Sequence, residues 1–92
     1  MLEFTGNVKM FLINPNPATD EAEIEIELIE SARTQLIITN ILGETVLTLL
    51  DGTPELGRQK LSFSTNALPQ GNYFVILKTA TIIKTQRLEI VK

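Results

Sequence analysis

The chain has 92 residues, room for one small domain, and 43% of them are apolar, enough to build a core. It contains no histidine and no cysteine, which removes disulfide staples, the commonest metal ligand and the usual base near neutral pH. The net charge of −3 is split, with Lys9 and Arg33 against eight acids in residues 1–46 (−6) and six bases against three acids in residues 47–92 (+3). No basic stripe interleaved with aromatics marks a nucleic-acid partner, and no apolar run approaches the roughly 20 residues needed to span a bilayer.

Eleven Ile, eleven Thr and four Val favour strands over helices. Met1 to Asn7 carries no period and no secretory leader; it reads as a linker or expression remnant, with Phe4 available to anchor it. Val8 to Ile13 is a first short strand. It is stopped by Asn14-Pro15-Asn16-Pro17-Ala18-Thr19-Asp20, where each proline fixes its own φ and pushes the residue before it towards extended backbone. The Asn and Asp side chains can bond nearby backbone there, so the segment is a pre-set corner. Ala22, Ile24, Ile26 and Leu28 then alternate with Glu23, Glu25 and Glu27, a half-buried strand with an acidic outer face.

After a turn at Glu30-Ser31-Ala32, Gln35 to Asn40 forms a strand with Leu36 and Ile38 on one face and Ile37 on the other. A connection containing Gly43 leads to Thr45 through Leu50, and the two read as a hairpin. Asp51-Gly52-Thr53-Pro54 opens a loop that runs to Gly57. Gln59 to Ser64 alternates again, Leu61 and Phe63 opposite Lys60 and Ser62. Thr65 to Gly71 is a second Pro-and-Gly corner, with Leu68 plugging the core. Tyr73 to Thr79 is apolar on both faces and so reads as a central strand; Ile82 to Val91 is the last. No segment repeats apolar residues at the helical spacing. The expected fold is an all-β, seven-stranded antiparallel sandwich of the immunoglobulin type over residues 8–92.

Chemistry is sparse. Without Cys or His the common nucleophilic triads cannot be assembled. Glu23, Glu25 and Glu27 lie on one open strand face, whereas acid–base work needs a pocket that separates two pKa values. Asn14, Asn16, Asp20 and Glu21, or Asp51 and Glu55, offer oxygen ligands for calcium but lack the closely spaced ladder of a dedicated loop, so they read as turn formers. Tyr73 and Phe74 could stack on a sugar, yet one ring must face the core. The chain reads as a non-enzyme without a cofactor.

Taken in order, several motifs resemble one family. Pro15-Asn16-Pro17-Ala18-Thr19-Asp20 is similar to the opening box of the type A C-terminal sorting domain of the Bacteroidetes type IX secretion system, although Asn14 stands where that family often has an aromatic residue. Leu36, Ile38 and Asn40, followed by Gly43 and Val46, resemble its middle motif. Leu68, Gly71, Tyr73, Phe74 and Val75 resemble its Leu-x-x-Gly-x-Tyr signature, and Lys84-Thr85 with Lys92 resemble its last strand and basic end. The likeness covers about residues 10–92.

The resemblance implies a sorting signal carried on an upstream passenger and read at the outer membrane by the type IX machinery. In the family the signal is usually removed at the surface by a sortase-like cysteine protease, which would cut near residues 1–7. It implies a route through the periplasm to the outer-membrane surface or the extracellular space. It assigns sorting-motif roles to Pro15, Asn16, Pro17, Asp20, Gly43, Leu68, Gly71, Tyr73, Lys84 and Lys92. The alternative is an accessory immunoglobulin- or fibronectin-like spacer, or a carbohydrate-binding sandwich. A sorting domain must end its protein, and this sequence stops just after its last strand. Edge pairing into a weak dimer stays open.

Overall fold

The computed structural model describes residues 8–10, 13–30 and 32–92. The expected linker at 1–7, part of the first predicted strand and Ser31 in the first turn lie outside the described residues. The strands are β1 (Val8–Met10), β2 (Glu21–Leu28), β3 (Thr34–Thr39), β4 (Thr45–Gly52), β5 (Gly57–Ser64), β6 (Gly71–Lys78) and β7 (Ile83–Ile90), with no helix among the described residues. They form two antiparallel sheets, ordered β1-β2-β5 and β4-β3-β6-β7.

Alternation explains which face of each strand is buried. Ala22, Ile24, Ile26 and Leu28 of β2 join Leu36 and Ile38 of β3, Phe63 of β5, Tyr73, Val75 and Leu77 of β6, and Leu88 and Ile90 of β7 in one core shared by both sheets. Burying each large aliphatic side chain contributes about 1.5–3 kcal/mol, so this shared core is the main source of stability in a chain without disulfides. The strand expected to be central, β6, does lie between β3 and β7. Its outer-face Ile76 sits opposite Ile37 of β3, and Ile37 is buried without belonging to the shared core.

Two features go beyond the alternation. First, β4 continues through Asp51 and Gly52, which pair with Gln35 and Thr34, where the sequence reading places a loop. The ladder extends because β3 begins at Thr34, and Arg33 adds an ion pair to Asp51 at 2.9 Å. Second, the β3–β4 register shifts between Leu36 and Ile37 and again between Ile38 and Thr39. Such irregularities reset which face a residue occupies. They set Leu47 opposite Ile38 and Leu50 opposite Leu36, so an odd and an even residue of one strand both pack against the core.

The glutamates of β2 are less isolated than their spacing implies. Glu25 pairs with Lys60 and Glu27 with Arg58 of β5, and Lys9 of β1 lies opposite Glu27. The Arg58 guanidinium also approaches the Glu25 carboxylate at 3.5 Å. The outer face of this sheet is therefore a cross-strand charge ladder.

Candidate recognition pole

Asn14 is the first fixed point. It exchanges backbone hydrogen bonds of 3.0 Å in both directions with Glu23 of β2. The chain then leaves that sheet, passes through Pro15-Asn16-Pro17, and reaches the outer edge of β7 in the other. Both Asn–Pro bonds are cis. Ala18 pairs in parallel with Ile90: its N–H donates to the Glu89 carbonyl at 2.8 Å, and the Val91 N–H donates to the Ala18 carbonyl at 2.9 Å.

Between those two anchors Asn16 uses its side chain as a substitute strand residue. Nδ2 donates to the Arg87 carbonyl at 2.9 Å, and Oδ1 accepts from the Glu89 N–H at 3.0 Å. Only a primary amide offers one donor and one acceptor in that arrangement; a carboxylate lacks the donor. Together, residues 16–18 cover the Arg87–Val91 end of an edge that would otherwise present unpaired backbone groups.

Thr65 joins the rest of the pole. It is fully buried; its N–H donates to the Asp20 carbonyl at 2.8 Å and its hydroxyl to the Thr19 carbonyl at 2.9 Å. Its own carbonyl accepts from the Leu68 N–H at 3.0 Å and from Nζ of Lys92 at 2.9 Å. The Lys92 N–H is held in turn by Gln70 Oε1 at 3.0 Å. Leu68 and Tyr73 are buried in the shared core, and the Tyr73 hydroxyl donates to the Pro69 carbonyl at 2.6 Å. Gly71 opens β6 opposite Ile90.

Pro15, Asn16, Pro17, Asp20, Leu68, Gly71, Tyr73 and Lys92 thus come from three separate stretches of chain and gather at one end of the molecule. Gly43 belongs to the β3–β4 turn, which extends from the same end of its sheet because Thr39 pairs with Phe74. Lys84 does not join them; it stands opposite Leu77 near the far end of β7. Asp20 contributes its backbone carbonyl to the pole, while its carboxylate side is exposed. Sequence reasoning missed Thr65, which looks like an ordinary turn residue after a strand. The Ser-Thr-Asn run at 64–66 gives no local sign that its middle residue is buried and bonded to a segment 46 positions earlier.

Two of the residues considered for calcium have other partners: Asn16 binds β7 and Asp51 binds Arg33. A shallow cleft of about 260 Å³ lies beside the corner, lined by Asn14, Pro15, Glu21, Ala22, Glu23 and Ser62. The Thr65 and Tyr73 hydroxyls are spent on backbone carbonyls, so the pole is a shaped surface built by backbone bonding.

The family model of the secretion system C-terminal sorting domain matches residues 12–92, from just ahead of this corner to Lys92. The chain belongs to that family. It is a C-terminal sorting signal for type IX secretion, and that family is not an enzyme family. Such a signal acts with the secretion machinery and leads through the periplasm to the cell surface or the extracellular space. No curated protein sequence matches the chain.

Proposed function

We propose that the sorting domain is a seven-stranded immunoglobulin-like sandwich, and that the machinery at the outer membrane reads the pole at which its three motifs meet. The observation that carries this reading is the joining of Asn16, Ala18, Asp20, Leu68 and Lys92 through Thr65 and β7. Motifs separated by about half the chain have no local reason to converge, but a receptor that reads a folded shape requires them together. Two antiparallel sheets around one shared core support the sandwich. Pro15, Asn16, Pro17, Gly43, Leu68, Gly71 and Tyr73 act by shaping the pole, and Lys92 presents its charge there. Lys84 acts separately, as an inward-turned charge near the open end of the β7 edge.

The passenger lies upstream, and a sortase-like cysteine protease cuts within or near residues 1–7 once the domain has crossed. Edge pairing through β4, the other outer strand of its sheet, would give at most a weak dimer.

The test is a fusion of the full chain, residues 1–92, to a periplasmic reporter in a bacterium with a working type IX system. The reporter is expected at the surface or in the medium, with its new C-terminus mapping to the junction by mass spectrometry. A reporter retained in the periplasm would overturn the reading. Lys92→Ala should lower export while leaving the folded domain intact, since its side chain makes a single bond to the Thr65 carbonyl.

A further inference from the structure

Ile41 and Leu42 are 70% and 80% exposed, more than any other large hydrophobic residue described. They are adjacent and occupy the tip of the β3–β4 hairpin. Ile29, Leu56 and Ile83 are exposed as well, but they lie at the end away from the motif pole, Ile29 and Leu56 flanking the paired Leu28 and Gly57, and Ile83 opposite Lys78. A pair of aliphatic side chains displayed at a turn carries a solvation cost that a surface loop has no structural need to bear.

The tip is held rather than loose. The Asn40 N–H donates to the Glu44 carbonyl and the Gly43 N–H to the Asn40 carbonyl, each at 3.0 Å. Asn40 Oδ1 accepts from the N–H groups of both Leu42 and Glu44, at 2.9 and 3.0 Å. Its Nδ2 donates to Glu44 Oε1 at 2.9 Å. Gly43 supplies the left-handed residue, with φ at +87°. One side chain thus fixes the turn, and the backbone that carries the two aliphatic groups has little conformational entropy left to lose on binding.

We infer that Ile41 and Leu42 form an apolar anchor by which the folded domain seats in a complementary pocket on a protein of the secretion machinery. This inference rests on the sorting reading above. The position fits, since the tip extends from the end of the sheet at which Gly71 and Ile90 lie. A second copy of this chain is a poor occupant: two side chains fall far short of the roughly 800 Å² per partner that a stable interface buries. A lipid surface is also a poor one. The residues flanking the tip are Asn40 and Glu44, whereas segments that lie in the membrane interface carry basic and aromatic residues there. A small apolar pocket with a polar or basic rim facing Glu44 matches the size and the charge. A contact of this size gives a transient grip, which suits a signal that must be released.

The experiment fuses the full chain to the periplasmic reporter and compares I41S/L42S with I41L/L42M, and with L56S as a control at the opposite end. Loss of an interface anchor predicts a drop of about tenfold or more in surface reporter for I41S/L42S, with reporter accumulating in the periplasm. The conservative pair and L56S should export as the unmodified chain does. The urea midpoint of purified I41S/L42S should be unchanged, because neither side chain is buried; if it falls, the single variant L42S is read instead. Normal export of the polar variant, beside a working unmodified fusion, overturns the anchor and leaves the sorting reading standing. Failure of the unmodified fusion overturns both. Binding of the chain to phosphatidylethanolamine–phosphatidylglycerol vesicles that I41S/L42S abolishes would reassign the tip to lipid. A dimer in sedimentation that the same variant abolishes would reassign it to a second copy.

Discussion

Asn16 carries out a strand residue's task with a side chain, and its worth can be put in numbers. Its two hydrogen bonds reach Arg87 and Glu89 across an exposed edge, where each contributes about 0.5–1.5 kcal/mol net. Asn16→Ala should therefore cost on the order of 1–2 kcal/mol, seen as a lower urea midpoint at constant slope. Amide exchange at Glu89 should quicken more than exchange at Ile24, which lies in the interior of β2. Asn16→Asp keeps an acceptor for the Glu89 N–H but cannot donate to the Arg87 carbonyl, so it should not restore the lost stability. An unchanged midpoint in Asn16→Ala would show that the amide is replaceable by water. The sequence marks this residue as a turn former, and that reading is incomplete. The dipeptide environment predicts a local bond, whereas the partners lie 71 and 73 positions away.

At the level of elements, two glycines of the β3–β4 hairpin make a controlled comparison. Nothing lies within 4 Å of a Cβ added at either Gly43 or Gly52, so sterics do not separate them. Backbone conformation does: Gly43 has φ at +87°, and Gly52 is not among the positive-φ residues. Gly43→Ala should destabilise by about 1 kcal/mol, and Gly52→Ala should be neutral or stabilise by up to about 1 kcal/mol through the unfolded chain. Thermal unfolding of the two variants checks the sign. Equal destabilisation would mean that the hairpin backbone relaxes. The irregular pairing of β3 with β4 also belongs to this scale. A period-two reading assigns Leu47 and Leu50 to opposite faces, and only the register shifts bring both towards the core. The row Glu23, Glu25 and Glu27 was legible as a polar face, but its partners Ser62, Lys60 and Arg58 follow from a register that no local pattern encodes.

Across the whole molecule, the corner at residues 14–20 and the end of the last strand depend on one another. Ala18 seals the edge at Ile90 and Val91, while Lys92 bonds Thr65, which itself holds residues 19 and 20. Removing residues 89–92 would therefore strip the fully buried Ile90 from the core together with the bonds of Glu89 and Val91 to Asn16 and Ala18 and that of Lys92 to Thr65. In a domain whose total stability is of the order of 5–15 kcal/mol, that deletion should abolish the cooperative unfolding transition. Lys92→Ala should retain it. Circular dichroism melts on the two chains, run beside export of the matching fusions, separate loss of signal from loss of fold. A deletion that still melts cooperatively would refute the mutual dependence.

The alternation of Ala22 to Leu28, of Leu61 with Phe63, and of Tyr73, Val75 and Leu77 determined by itself that the chain is all-β and which faces are buried. Side-chain direction in a strand repeats every two residues and needs no partner to be read. The motif order along the chain likewise pointed to the sorting family. Which strands pair, in what register, and that Asn16 lies on β7 while Thr65 binds Thr19 and Asp20, were decided only by the tertiary structure. Those contacts join residues tens of positions apart. They form because the two sheets must close on one core, and that closure is a property of the assembled chain.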